Sequence, residues 1–164
     1  MLFRSHRSTD TGLLDAWPDG GPEQVGSATN LGSGYSSVSF APGLVLTMGS
    51  RGEDEVVICL DSESLAERWA ARVGRSRADG MGGGPRGTPT VDGERVYALG
   101  ASGDLVCLAL ADGRTIWEGN VLRAFGGENI TWGMSESPLV EGGRVVVTPG
   151  GREATMVALD AATG

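Results

Sequence analysis

Along the chain, short apolar runs alternate with turns rich in Gly, Asp and Ser. Arg95-Val-Tyr-Ala-Leu99 and Asp104-Leu-Val-Cys-Leu-Ala-Leu110 are such runs, bounded by Asp92-Gly93, Ser102-Gly103-Asp104 and Asp112-Gly113. Runs of this length, rich in Val, Leu and Tyr, read as strands, and Asx-Gly pairs between them read as hairpin turns. One stretch, Ser62 to Arg72, has good helix propensity. Its alignment with Ala109–Trp117 instead predicts a turn followed by a strand.

The runs recur in register. Ser37 to Gly49, then Val57-Ile-Cys-Leu60, then Trp69 form one unit. Thr88 to Gly100, then Leu105-Val-Cys-Leu108, then Trp117 form the next. Ser137 to Thr148, then Met156-Val-Ala-Leu159, form a third, which reaches Gly164. The period is roughly 50 residues, the length of a four-stranded propeller blade. Each unit predicts an inner strand (Thr88–Val91 in the second), two central strands and an outer strand carrying a Trp. Stacking such sheets radially buries both faces and protects the edges. The expectation is an all-β, partial β-propeller of four-stranded antiparallel blades.

The outer-strand pattern, Leu-Asp-Ala-Ala-Thr-Gly followed by Trp, resembles the tryptophan-docking repeat of PQQ-like (pyrroloquinoline quinone) β-propellers, in the quinoprotein alcohol dehydrogenase-like superfamily. It stands here as Leu159-Asp-Ala-Ala-Thr-Gly164, Leu108-Ala-Leu-Ala-Asp-Gly113…Trp117 and Leu60-Asp-Ser-Glu-Ser-Leu65…Trp69. Trp17-Pro-Asp-Gly-Gly-Pro22…Gly32-Ser-Gly-Tyr-Ser-Ser37 is similar to the N-terminal lead-in of exported bacterial members. The resemblance implies about three blades of a seven- or eight-bladed ring, and a periplasmic or secreted location. It assigns blade docking to Trp69 and Trp117. Where a preceding docking Trp would stand, the sequence has Val25-Gly26-Ser27. By the common spacing the next Trp falls at about position 168. With both ends cut, Val145, Val147 and Val157 are expected to be less buried than Val96 and Val106.

These units divide the chain into 12–34, a lead-in and the outer strand of a preceding blade, then blades at 35–74, 75–122 and 123–164, all one propeller domain. Residues 1–11 are set apart as an artefactual or disordered start, because Leu2-Phe3-Arg4-Ser5 reads like a translated sequencing adapter. No apolar run approaches the ~20 residues that span a bilayer.

Composition narrows the chemistry. The 28 Gly and 7 Pro in 164 residues far exceed the roughly 12% of average usage, which excludes long helices. The net charge is −8, which argues against nucleic-acid binding, since that needs a clustered basic surface. Every basic residue is Arg and the single His is His6, so a Lys Schiff base, a P-loop or a multi-His zinc site has no residues to build it. No catalytic set and no metal set is assigned. Cys59 and Cys107 hold the same position in successive units, about 10 Å apart if sheets stack. That is too far for a disulfide, so they are expected as buried thiols.

Segments from one outer strand to the next inner strand converge on one face near a propeller axis, where a rigid scaffold presents ligand-binding loops. These segments, Asn30–Ser37, Arg75–Gly87 and Phe125–Glu136, offer Tyr35, Arg86, Glu128, Asn129, Trp132, Ser135 and Glu136. Two readings stay open. One is a non-catalytic exported binding or scaffold propeller that takes a protein or small molecule on this face, beside the remaining blades of a longer chain. The other is part of a PQQ- and calcium-dependent quinoprotein dehydrogenase oxidising alcohols or sugars. The resemblance makes PQQ and calcium possible cofactors, with Glu128, Asn129 and Glu136 as oxygen donors. The adjacent-Cys pair of quinoprotein alcohol dehydrogenases is absent.

Overall fold

The computed structural model describes residues 11–12, 14–78, 80, 82–152 and 154–164, so nearly all of the set-apart N-terminal start lies outside the described residues. Three antiparallel sheets follow one another along the chain. The first holds β1 (Ser39–Ala41), β2 (Leu44–Arg51), β3 (Asp54–Asp61) and β4 (Glu67–Arg75) in sequence order. The second repeats it with β5 (Thr90–Asp92), β6 (Arg95–Leu99), β7 (Asp104–Ala109) and β8 (Thr115–Asn120). The third has β9 (Leu139–Glu141), β10 (Arg144–Val147) and β11 (Val157–Asp160). The helix-prone stretch at Ser62 does fold as a turn and a strand.

Strand alternation sends one set of side chains to each face. In the second sheet Val96, Ala98, Val106 and Leu108 face the first sheet, meeting Leu46, Met48, Val57, Cys59 and Val73. Tyr97, Leu99, Leu105 and Cys107 face the third, meeting Val145 and Val147. Cys59 and Cys107 therefore belong to separate cores, and both are free buried thiols. Val145 and Val147 are fully buried, against the expectation of partial exposure. Their parity turns them toward the second sheet. The open side of the third sheet carries the alternate set, with Leu139 exposed and Val146 half-buried. Val157, farther along the edge, is half-buried.

The indoles tie the sheets at the rim. Trp69 donates through Nε1 to the Leu110 carbonyl at 3.0 Å, and Trp117 to the Ala161 carbonyl at 3.1 Å. Each ring lies over a turn glycine of the next sheet, where an added Cβ would come within 2.6 Å (Gly113) or 2.9 Å (Gly164) of it. Those glycines have φ of +73° and +74°, so both backbone conformation and clearance select Gly. Asp160 builds its turn by accepting from the Ala162 and Thr163 amides at 2.9 Å. Asp61 does the same for Glu63 and Ser64. This is the physical content of the Leu-Asp-x-x-Thr-Gly pattern: an Asx turn closed by a left-handed residue.

The first sheet departs at that residue. Leu65 takes the glycine position with φ of +56°. Its side chain lies on Gly26, where a Cβ would come within 2.9 Å of Leu65 Cδ1. The missing docking Trp is thus answered by an inverted contact, with the knob on the turn and the glycine on the preceding segment.

Two further features differ from the sequence reading. Strand β5 starts at Thr90, not Thr88, because the Thr88 amide is engaged elsewhere. It donates to Ser137 Oγ at 2.9 Å, while Thr88 Oγ1 accepts from the Ser37 amide at 3.1 Å. These equivalent hydroxyl residues link the three inner strands in turn. A short helix, α1 (Val121–Phe125), follows β8, capped by Asn120 Oδ1 on the Arg123 amide at 2.9 Å and closed by left-handed Gly126. Asn and Gly at those spacings carry the helix-end signal. Among the described residues no helix is long and apolar enough to cross a membrane.

Candidate functional site

The connections from outer to inner strands run along one face, beside the β2–β3 and β6–β7 hairpin tips, since Ser76 donates to the Glu53 carbonyl and Val121 to the Gly103 carbonyl. There the three lead-in segments interlock. Tyr35 donates its amide to the Pro85 carbonyl at 2.8 Å, and the Arg86 guanidinium carbon lies 4.6 Å from the Tyr35 ring centroid. Arg86 donates through Nε to the Trp132 carbonyl at 2.7 Å and through Nη2 to the Gly82 carbonyl at 3.0 Å. One guanidinium thus joins one residue from each lead-in segment. A planar fork stacked on an aromatic ring suits this task in a way a flexible ammonium would not. Gly82 is required beside it, because a Cβ there would fall 2.2 Å from the Tyr35 hydroxyl. Tyr35 (55%), Trp132 (45%) and Ile130 (57%) leave much of their surface in solvent. Aromatic and apolar groups are thus left exposed on this face.

The other residues singled out from the sequence lie apart. Asn129 points its Nδ2 inward to the Ala101 carbonyl at 2.8 Å. Ser135 bonds the Gly133 carbonyl at 3.1 Å. Glu136 accepts from the Thr148 amide at 2.5 Å. Glu128 lines a different, open cleft of about 630 Å³ with Phe125, Gly151 and Arg152. The trio Glu128, Asn129 and Glu136 therefore does not converge. Among the described residues no group of three or more His, Cys, Asp or Glu is placed to hold a metal ion. A calcium ion with six to eight oxygen ligands does not fit this donor set.

Sequence reasoning missed Glu55. It is fully buried and its Oε2 accepts from the Ala101 amide at 2.8 Å. A Glu at the start of a strand reads as solvent-facing, and only the apposed hairpin tip reverses that. Burial pushes its carboxyl above the usual carboxylate range. Burial likewise raises Cys59 and Cys107, which keeps them as thiols.

Three radially consecutive sheets, docked by indoles on turn glycines, define a β-propeller built of PQQ-like repeats. A family model described as outer membrane protein assembly factor BamB matches residues 53–164, and the chain belongs to that family. Sequence comparison with curated proteins gives no match. Among solved structures, quinohemoprotein alcohol dehydrogenase from Comamonas testosteroni is similar at TM-score 0.59 and 21% identity, over 82% of this chain and 20% of that one. Quinohemoprotein alcohol dehydrogenase ADHIIG from Pseudomonas putida HK5 gives 0.50 and 19%, over 74% and 18%. BamB from Moraxella catarrhalis gives 0.48 and 21%, over 74% and 31%. The chain spans less than a third of the length of each. At these identities the likeness to the two dehydrogenases shows the fold.

Proposed function

We propose that these blades belong to a non-catalytic, periplasmic binding propeller that docks a protein partner on the face formed by Tyr35, Arg86 and Trp132. The observation that carries this reading is the Arg86 junction, which ties the exposed Tyr35 ring of the first lead-in segment to the backbone of the exposed Trp132 in the third. Preorganised aromatic and Arg groups are the residue types that dominate protein interfaces. Membership of a family described as an outer membrane assembly factor supports a protein as the occupant. A photo-crosslinker at Trp132 is expected to give a discrete protein adduct in periplasm, and one at Ile116, on β8, none. Arg86→Ala is expected to weaken capture of that adduct's partner at least about tenfold, the scale of a hot-spot loss of roughly 1.4 kcal/mol.

The fold neighbour in the quinohemoprotein dehydrogenases favours the alternative, a PQQ-dependent oxidoreductase. The same protein incubated with PQQ and Ca²⁺ is expected to reduce no dye on addition of alcohols. Quinone-dependent dye reduction would overturn the binding-only reading.

A further inference from the structure

Glu55 sits at the seam between the first and second sheets, at a point where three parts of the fold meet in series. Its Oε2 holds the Ala101 amide at the β6–β7 hairpin tip. Gly100 lies against the same oxygen, where a Cβ would come within 2.7 Å. The carbonyl of Ala101 accepts from the Met134 amide at 2.9 Å and from Asn129 Nδ2 at 2.8 Å. Glu55 therefore grips the tip on which the lead-in loop of the third sheet rests, and that loop carries Trp132.

The polar atoms here are incompletely matched. Arg77 Nε and Asn129 Oδ1 are buried without a hydrogen-bond partner, and Glu55 Oε1 has no well-formed one, the Arg77 amide approaching its carboxyl only loosely. Around Glu55 lie the Arg77 backbone amide, in the segment after β4, and Asp104, which opens β7. Arg77 sends Nη2 to the Thr131 carbonyl at 3.2 Å, while Asp104 adds negative charge. Burying the carboxylate in such a seam costs more than burying the neutral acid. Desolvation first, and Asp104 with it, raise the carboxyl against the lowering effect of the Ala101 and Arg77 amides.

We propose that Glu55 is a protonation-dependent latch: as the neutral acid it holds the first seam and the loop resting on Ala101, and its ionisation loosens both. The latch does not depend on what the loop face binds. The sign follows from linkage. A carboxyl raised in the folded state gives its full stabilisation below the ordinary carboxylate range. That stabilisation is lost as pH rises through the raised value, with opening up to about tenfold more favourable per pH unit in that window.

Amide hydrogen exchange in the whole chain, corrected for base catalysis, tests this. Protection of Ala101 and Met134 is expected to fall together by up to about tenfold per pH unit across the window. Glu55→Gln is expected to flatten both profiles at the protected level. A pH-independent wild-type profile, or a slope retained in Glu55→Gln, overturns the latch. Should that variant not fold, the Glu55 carboxyl carbon shift in the wild type decides. Titration within the ordinary range, uncoupled from the Ala101 amide, overturns the proposal; raised titration that moves that amide sustains it.

Discussion

The two seams of this molecule are alike at the rim and unlike beneath the loops. At the rim each uses an indole over a left-handed glycine, Trp69 on Gly113 and Trp117 on Gly164. Under the loops the same repeat position holds Glu55 in the first unit and Gly103 in the second, each at the same distance before its Cys. At the first seam a buried carboxyl reaches the backbone of the next hairpin. At Gly103 there is no side chain, and Leu122 of α1 fills the space, 2.7 Å from where a Cβ would stand. The rim is uniform because a tight turn, a flat ring and one carbonyl acceptor leave little latitude. The loop end is free to differ because any group of fitting volume and matched polarity closes it.

The largest expected effect tests the uniform part. Trp69→Ala and Trp117→Ala are each expected to cost about 3 kcal/mol, the scale of removing a large packed aromatic. The check is the denaturant midpoint at unchanged slope. Clearly unequal losses would break the claim that the two rims are equivalent. Next comes Gly103→Ala, expected to cost about 2 kcal/mol from its φ of +85° and the overlap with Leu122. A loss under about 0.5 kcal/mol would mean that α1 moves away readily and is no true counterpart of the Glu55 latch. The smallest effect is expected at Leu65→Gly, within about 0.5 kcal/mol in thermal melts, because relief of the positive φ offsets the lost contact with Gly26. A large loss there would show that the inverted contact carries more than the strain it imposes.

The repeat, the strand order and the docking tryptophans were legible because each follows from local chemistry recurring at one period. Asp-x-x-Thr-Gly builds its own turn, and Val-rich runs build their own strands. The site was legible only in part. Tyr35, Arg86 and Trp132 were picked out by their segment, and the structure brings them together. Glu128, Asn129, Ser135 and Glu136 came from the same reasoning but are turned to other tasks, because backbone groups of their own or adjacent loops claim three of them and Glu128 faces a separate cleft. Helix α1 was overlooked because five residues leave no periodicity, although its cap residues were present.

By itself the sequence determined that this chain makes successive antiparallel units of up to four strands docked by Trp on Gly, since turn chemistry, strand alternation and spacing are local or nearly so. Tertiary structure alone decided which side of each sheet is closed, as Val145 and Val147 show. It also decided that Glu55 is buried and that Arg86 joins three lead-in segments. Those outcomes depend on which hairpin tip or loop arrives from a neighbouring unit some fifty residues away, and on the desolvation and unmatched hydrogen bonds that its arrival imposes.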